Sequence, residues 1–541
     1  MFRWLAKIFK HPDKNEHGLR SKRQGTDRSD VEKRMLSKSL EQNRAIIDEI
    51  FDHCDDLIIH EFVLGPDKKT RALLVYINSL VKDELLQTGL MQAILNVHYD
   101  SSREMSMNWL KEAVVPTGKV ATENSWVEVT DSICTASVAL IIDGQNGALV
   151  IEFPNDNKRP VSQPITQSAT AGPAEAFNED LNTNMGLLRR RFPTSRLAVE
   201  AMQIGLITKT PVNLVYLKGY VREGLVDEVR ERLSRIKVDS ILSSGQIDEH
   251  LQDNPYSPFT GIDSSERPDR VASILLEGGV SLIIGGTPFA LLLPTTIATL
   301  MTTSDDYGFR YWYASFIRLI RWSALFTAAL APALYVALIS FHQELIPPAL
   351  LVTVVSNREG VPFPAFLEAF LMELTFETLR EAGVRLPRTF GQTISIVGTI
   401  VVGQAAVGAG LVSSGMVVVV ALTAIASYTI ASVKLANAIR LLRFFFMFAG
   451  AFLGLFGIMA AVSLLSLHLC SLRTFGVPYL SPLAPLSLGD LKDTFIRVPN
   501  WMMQNRPRLT GYVEPGRQNP ALKPGLPPQV TEKSDRRKGR P

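Results

Sequence analysis

The sequence predicts a chain in two parts: an α/β N-terminal cytoplasmic domain of two subdomains, followed by a polytopic α-helical membrane domain. Three observations lead to this prediction. Residues 1–270 carry charge throughout, and strand-like runs alternate in them with helical patterns. Residues 271–472 hold nearly all the long apolar runs, several of which reach the roughly 20 residues that cross a bilayer as a helix. A Pro/Ser/Thr-rich stretch at 154–173 predicts a linker between the two subdomains.

Composition shifts divide the 541 residues more finely, into five parts. They are a basic N-terminal arm (1–40), a first α/β subdomain (41–160), a second α/β subdomain (161–260), a membrane domain with four or five spans (261–475), and a Pro-rich basic cytoplasmic tail (476–541). The arm is typical of a segment lying on an anionic membrane surface, although a solvated arm has the same composition. No apolar core long enough for a secretion signal follows the N-terminus, so the α/β domain is expected in the cytoplasm.

Local patterns predict the elements of the α/β domain. Arg71–Ile77 and Pro211–Leu217 are rich in β-branched and aromatic residues and predict strands. Thr135–Phe153 predicts two strands joined by a Gly/Asn turn. Helical patterns predict helices over Ser37–Leu64 and Gly224–Ile236.

Charge-free runs predict the membrane spans. The runs 322–341 and 444–470 are each expected to cross once. The run 389–433 is long enough for two spans around the turn Gly410–Gly415. Residues 345–355 are too few to cross and are expected at the membrane interface.

Residue types that would indicate an enzyme or a cofactor site do not cluster in the sequence. Three cysteines, far apart, give neither a disulfide framework nor a metal spacing, and the eight histidines do not cluster. There is no phosphate-binding glycine loop and no nucleophile elbow. The basic termini do not interleave charge with aromatic residues as nucleic-acid-binding segments do. We therefore expect no enzymatic activity, no cofactor, no metal and no nucleic-acid partner.

The run LEGGVSLIIGGTPFALLLP (Leu276–Pro294) could span the membrane, dip into it and return, or pack inside a soluble core. Its breaks leave two halves that are each too short to cross, and a single crossing would place the basic tail outside. The sequence thus favours a re-entrant or broken helix near the gate, marked by Glu277, Gly285, Gly286, Pro288 and Pro294. Glu277 either pairs with one of Arg270, Arg318 and Arg321 or marks the water interface.

A stripe of small and weakly polar residues follows one side of the helix predicted from Thr389. The stripe is Gly391, Gln392, Ser395, Thr399 and Gly403, within an arc of roughly 120° at 100° per residue. Such a stripe serves either close helix packing or a water-lined path. The hypothesis is that it lines a pore, and the two functions merge if the helix lies at an oligomer axis.

An acidic stripe follows the helix predicted over Pro364–Gly383. Glu373, Glu377 and Glu381 are spaced by four residues and lie on one face. A ring of such helices would concentrate cations at a pore mouth. The alternative is that the stripe is the solvated face of an amphipathic helix.

Seven short blocks occur in one order along the chain. They are SERPD (Ser265–Asp269), LLEGG (Leu275–Gly279), GTPF (Gly286–Phe289), REGVPFP (Arg358–Pro364), ELTFETLREAG (Glu373–Gly383), RLPRTFGQTISIVG (Arg385–Gly398) and GQAAV (Gly403–Val407). Together they resemble the A subunit of GerA-type spore germinant receptors. With NTNMGLLRRR (Asn182–Arg191) upstream, the resemblance covers residues 40–475.

The resemblance implies a multi-pass protein of the inner membrane of the spore, acting with a transporter-like B subunit that holds the nutrient and with a C lipoprotein. It implies a homo-oligomer, a pentamer, that conducts ions when nutrient binds. Some positions depart from the family pattern and are consistent with a divergent paralogue whose gating or assembly is altered: Ala171, Ala174, Gly279 and Gly408. Two rival functions stay open, a secondary transporter subunit with a broken mid-membrane helix, and a non-conducting scaffold for partner subunits.

Overall fold

The computed structural model describes residues 34–64, 70–82, 86, 90, 119–153, 164, 167, 170–385, 403–507 and 515–518.

The first subdomain is a five-stranded antiparallel sheet. Leu73, Val75 and Ile77 face two helices, whereas Leu74 and Tyr76 contribute to a separate apolar cluster. The sheet confirms the strands predicted at Arg71–Ile77 and within Thr135–Phe153. Its elements are β1 (Leu57–Leu64), β2 (Thr70–Ile77), β3 (Val120–Glu123), β4 (Ser137–Ile142) and β5 (Ala148–Glu152), with α1 (Leu40–Ile50) and α2 (Trp126–Cys134).

The second subdomain is a five-stranded antiparallel sheet of the same topology. Counted from its own first strand, each sheet has the order first, second, fourth, fifth, third. The sheet confirms the strand predicted at Pro211–Leu217, and the helix Leu225–Arg235 confirms the one predicted over Gly224–Ile236. The elements are β6 (Leu197–Ile204), β7 (Thr210–Leu217), β8 (Asp263–Ser265), β9 (Val280–Ile284) and β10 (Ala290–Leu293), with α3 (Leu181–Arg191), α4 (Leu225–Arg235), α5 (Ser244–Leu251) and α6 (Pro268–Leu276).

The helix predicted over Ser37–Leu64 is wrong in its second half. The helix ends at Ile50, and the chain turns before β1 begins at Leu57. This turn joins the subdomains, because Cys54 forms an isolated parallel bridge with Val199 of β6.

A buried ion pair reinforces the contact between the subdomains. Arg189, near the end of α3, donates to both carboxylate oxygens of Asp56, with the shorter distance at 2.6 Å. Charge-assisted pairs of this bidentate kind fix geometry as well as adding stability.

The run that was predicted to enter the membrane as a re-entrant or broken helix lies in the second sheet instead. β9 and β10 form an antiparallel hairpin in which Leu282 is paired with Leu291. Residues of this hairpin pack against α4 and α5 on one face of the sheet and against α3 and α6 on the other. Every residue of both strands is buried. The membrane prediction for this run is therefore wrong, and the boundary predicted at residue 260 falls before three strands of the same sheet.

An apolar helical bundle follows the second sheet. Among the described residues, two helices are long and apolar enough to cross a membrane by length and composition, Tyr311–Phe341 and Val433–Ser471. The helices after the sheet are α7 (Ile297–Met301), α8 (Asp305–Gly308), α9 (Tyr311–Phe341), α10 (Pro348–Ser356), α11 (Ala365–Arg385), α12 (Gly403–Gly408), α13 (Ser414–Thr429) and α14 (Val433–Ser471). Shorter elements are the 3₁₀ turns Gln343–Leu345, Asp490–Asp493 and Asn500–Met502 and the strands β11 (Arg473–Thr474) and β12 (Val477–Pro478).

Helix α14 is a hairpin of two helices that reverses at Gly454. Both of its ends contact the α/β domain: Lys434 Nζ donates to Asp248 at 2.8 Å, and His468 lies 3.0 Å from Ser257. Gly454 has φ 59° and ψ −143° and lies beside the opposite end of α9. The prediction that 444–470 crosses once is therefore wrong, because this run contains the end of one helix, the reversal and the helix that returns.

The reversal gives a testable expectation for Gly454→Ala. The new Cβ would lie 2.7 Å from His342 and 3.1 Å from the Cβ of Phe341, in a backbone conformation that L side chains rarely adopt. We expect a loss of about 1–3 kcal/mol in the free energy of unfolding, measured by denaturant titration in a neutral detergent. Gly383→Ala is the matched control, since its Cβ would meet open space in α11. Equal stability of the two variants would contradict a reversal at Gly454.

The chain after α14 packs back onto the α/β side of the bundle. Tyr479, Thr494 and Arg497 are buried in this segment. Residues 476–507 are thus an integral part of the fold rather than the start of a free tail.

Candidate functional site

The junction between the α/β domain and the bundle is held by buried charges. Asp306, in α8, accepts from Nε of Arg318 at 3.0 Å and from Nη1 and Nη2 of Arg321, each at 3.0 Å. Both arginines belong to the first turns of α9 and are buried. The loop that leaves the second sheet is thereby fixed to the base of the longest uninterrupted bundle helix.

The C-terminal segment closes the same network from the other side. Arg318 Nη1 donates to Asp493 Oδ1 at 2.7 Å, and Tyr307 donates its hydroxyl to the other oxygen of that carboxylate at 2.5 Å. Arg497 donates to the backbone carbonyl of Asp306 at 2.8 Å. Three parts of the sequence therefore meet at one charged centre.

Electrostatics favour the charged form of Asp306. Burial alone would raise the pKa of its carboxyl, but the hydrogen bonds and charges of Arg321 and Arg318 outweigh burial and lower the pKa below its usual value. The carboxylate of Asp306 is therefore ionised at neutral pH.

A second set of contacts ties α6 to the same loop. Arg267 Nη2 donates to Asp269 at 2.7 Å and to Asp305 at 2.9 Å. Arg270 donates to the carbonyl of Thr299 and lies 3.6 Å from Asp263. A change in the position of α6 would thus be transmitted to α7, α8 and the base of α9.

An almost fully buried ion pair lies inside the bundle. Arg443 of α14 donates Nη1 to Glu373 of α11 at 2.5 Å and Nε to the carbonyl of Ala328 in α9 at 2.9 Å. The side chain of Glu373 is 0% exposed and that of Arg443 is 1% exposed. This pair links three helices through one guanidinium.

The predicted acidic stripe is divided by this arrangement. Glu373 points into the bundle, so its predicted place on a pore-mouth face is wrong. Glu377 is half-buried and pairs with Arg380 at 2.8 Å. Glu381 is exposed and pairs with Arg385 at 2.8 Å. The three carboxylates share a spacing along α11 but have three different environments.

Another buried carboxylate lies at the end of the bundle away from the α/β domain. Glu368 accepts the backbone N–H of Ser413 at 2.6 Å and also its hydroxyl. Arg358 lies 3.6 Å from the other oxygen of Glu368. Glu368 thereby holds Ser413, the N-cap residue of α13, and connects α13 to α11.

The predicted small-residue stripe lies mostly outside the described residues, which resume at Gly403 after Arg385. The stripe residues outside the described part of the chain are Gly391, Gln392, Ser395 and Thr399. Gly403 begins α12, where an added Cβ would lie 3.9 Å from Val417 of α13.

The five residues predicted to mark a re-entrant helix belong to the α/β domain. Gly285 and Gly286 form the β9–β10 turn, where Gly286 has φ 83°. Pro288 lies in the same connection, and Pro294 directly follows β10. Glu277 is the C-cap of α6, and burial raises the pKa of its carboxyl.

The sequence analysis did not identify the ion pairs of Asp305 with Arg267 and of Asp306 with Arg318 and Arg321. The available signal was an acidic pair placed just before a long apolar helix that itself contains Arg318 and Arg321, an arrangement that requires pairing. Within the described residues, no group of three His, Cys, Asp or Glu side chains is placed to hold a metal ion.

The fold and its ion pairs define a class of protein in which a tandem α/β domain is fixed to an apolar helical bundle. The family model described as Bacillus/Clostridium GerA spore germination protein matches residues 45–509. The chain belongs to this family, that of the spore germinant receptor A subunits, which confirms the resemblance found in the sequence.

Individual relatives cover most of the chain. It is 40% identical over 481 residues to the uncharacterized membrane protein YfkQ of Bacillus subtilis (strain 168), covering 88% of this chain and 92% of that protein. It is 38% identical over 496 residues to spore germination protein KA of the same strain, covering 91% and 90%. The crystal structure of the N-terminal domain of the A subunit of the Bacillus megaterium spore germinant receptor GerK3 is 32% identical, with a TM-score of 0.39, and covers 48% of this chain and 96% of that one.

Proposed function

We propose that the chain is the A subunit of a nutrient-sensing germinant receptor and forms an ion-conducting channel in the inner membrane of the spore. In this proposal the helical bundle spans the membrane, the α/β domain lies in the cytoplasm, and the chain assembles as a homo-oligomer, a pentamer. A transporter-like B subunit binds the germinant, a C lipoprotein completes the receptor, and the A subunit performs no enzymatic reaction.

The observation that carries the proposal is the inverted polarity of the bundle. Its outer surface exposes large apolar side chains, among them Phe452 and Phe456 at 74% and 72% exposure, while Glu373 and Arg443 are buried inside. An apolar surface of this extent is unfavourable in water and favourable in lipid. Ionisable residues inside a membrane bundle are costly and mark functional positions.

The helix directions agree with a bundle whose termini lie on one side. α9 leaves the α/β domain, and both ends of α14 return to it. α11 packs antiparallel to the first half of α14, since Glu373 meets Arg443 and Glu377 meets Arg440. Residues 476–507 lie on that side as well. The arrangement supports a cytoplasmic position for both the α/β domain and the C-terminal segment.

The pore itself is proposed to be lined by the stripe that includes Ser395 and Thr399. If this is right, Thr399→Cys should react with a charged, water-soluble thiol reagent when germinant is present, and modification should reduce ionic current. The background should carry Cys470→Ser, because Cys470 is exposed whereas Cys54 and Cys134 are buried. The measurement is current through the reconstituted receptor before and after the reagent.

Val397→Cys is the matched control, since at about 100° per residue this position points away from the stripe. An inert Thr399→Cys in conducting receptors would refute the pore assignment. Ohmic current supports a channel, and saturable substrate-coupled flux supports a transporter. The absence of both current and flux supports a scaffold.

A further inference from the structure

A cavity of about 400 Å³ lies where the α/β domain meets the bundle. Its wall comes from β8 and α6 of the α/β domain, from the connection between α7 and α8, and from α9, α13 and α14 of the bundle. Its volume lies within the range typical of small-molecule sites, roughly 300–1,000 Å³.

The wall of the cavity is rich in arginine. Four arginines and two aspartates line it, and Asp269 and Asp306 behind the wall pair with Arg267 and Arg321, so Arg440 has the weakest carboxylate pairing of the four. The six are Arg267, Arg270, Arg321, Arg440, Asp263 and Asp305. Arg270 lies in α6 and Arg267 is its N-cap residue, whereas the other two arginines belong to bundle helices, so a bound anion would contact both parts of the protein.

Arg440 has unused donor capacity. Its side chain is 10% exposed, and its buried Nε makes no hydrogen bond to any described residue. Nη1 donates to Asn437 at 2.8 Å, while the nearest carboxylate oxygen to Nε, on Glu377, lies 4.0 Å away. A buried guanidinium N–H without an acceptor is unfavourable, and an anion in the cavity would satisfy it.

The start of α14 adds a second donor surface. Ser432 and Val433 line the cavity, and the Ser432 side chain does not cap the helix. It bonds Asp263 at 3.3 Å instead. The first N–H groups of a long helix carry a partial positive charge that favours a phosphate nearby.

We propose that this cavity binds a phosphate group, carried either by the headgroup of a phospholipid or by a free phosphate compound. Arginine groups and helix N-terminal N–H groups are the donors that phosphate prefers. Thr302 and Thr303 complete the wall, with their hydroxyls donating to Thr299 and Asp306. The occupied site would tie α6 to α9 and α14. This inference does not depend on whether the bundle conducts ions.

The position of the cavity along the bundle makes a lipid headgroup one natural source. Tyr428 lines the cavity and is exposed, and Trp312 and Tyr313 are exposed at the same end of the bundle. Exposed Trp and Tyr side chains mark the level of lipid headgroups in membrane proteins. A phosphate at this level can come from the bilayer or from the cytoplasm.

The test is thermal unfolding of the purified full-length chain in a neutral detergent. One arm titrates inorganic phosphate against sodium chloride at equal ionic strength. The other titrates dihexanoyl-phosphatidylglycerol against dihexanoylglycerol, which lacks the phosphate group. We expect the unfolding temperature to rise with at least one phosphate-bearing probe and with neither control. A response to phosphate alone identifies a free compound, and a response to the phospholipid alone identifies a headgroup.

Two variants test whether the response comes from the cavity. Arg440→Gln removes one donor, and Ala431→Phe fills the cavity while keeping every charge. Each should weaken the apparent affinity by about tenfold or more. Arg235→Gln, at an exposed position on α4, should respond like the unmodified chain. The proposal is overturned if neither probe shifts unfolding, or if Ala431→Phe and Arg440→Gln respond like the control.

Discussion

Replacing Arg443 by methionine should lower the free energy of unfolding by about 3–5 kcal/mol, because it leaves the carboxylate of Glu373 buried without its charge partner. The pair is almost fully enclosed, and its partners belong to α11 and α14. Methionine keeps much of the volume of the side chain, so a large cavity does not account for the loss. Denaturant titration of the purified chain in a neutral detergent, followed by near-ultraviolet circular dichroism, measures it.

Two further variants separate the charge from the packing. Arg385→Met breaks the exposed ion pair between Arg385 and Glu381 on α11 and should change the free energy of unfolding little. The double variant Glu373→Gln, Arg443→Met removes both charges and should recover part of the loss. Recovery should be incomplete, since Arg443 also donates to the carbonyl of Ala328. If Arg443→Met were as stable as Arg385→Met, the result would show that water reaches the pair Glu373–Arg443.

The two β-hairpins show how far sequence alone predicts this fold. In the first, Asp143 and Gly144 interrupt the apolar run, and the hairpin was predicted correctly. The strands of the second hairpin pair in the same register relative to the turn, where Gly286 (φ 83°) occupies the position of Gly144 (φ 84°) in the first. No charge occurs between Glu277 and Asp305, however, and both faces of β9 are covered, which removes the alternation that identifies a strand. An apolar run of that length has the composition of a membrane segment.

The other features that the sequence does not predict depend on contacts between residues far apart in the chain. The reversal at Gly454 could not be predicted, because Gly450 and Gly457 stand in the same run and only the folded chain shows that Gly454 is the one with a positive φ. The pair Glu373–Arg443 joins residues 70 apart. The stripe of glutamates was visible as a spacing, but the direction in which each side chain points depends on the neighbouring helices.

Asp306→Asn should also destabilise the protein by about 3–5 kcal/mol at neutral pH, since it leaves Arg318 and Arg321 buried without the carboxylate they share. We expect the α/β domain and the bundle to unfold in separate transitions in this variant, because Asp306 connects them. Differential scanning calorimetry of the full chain in detergent measures both effects. Asp227→Asn, in an exposed pair with Arg230 on α4, is the control and should leave a single transition.

The pH dependence of this loss distinguishes charge from shape. The pKa of Asp306 is lower in the folded than in the unfolded chain, so its contribution is complete above the unfolded value of about 3.9 and declines as pH falls below it. The stability difference between the unmodified chain and Asp306→Asn should therefore be constant from pH 7 to about 4.5. Below about pH 4 it should shrink by about 1.4 kcal/mol per pH unit. A difference unchanged at pH 3 would mean that the asparagine disturbs packing and that the carboxylate charge does not hold the junction.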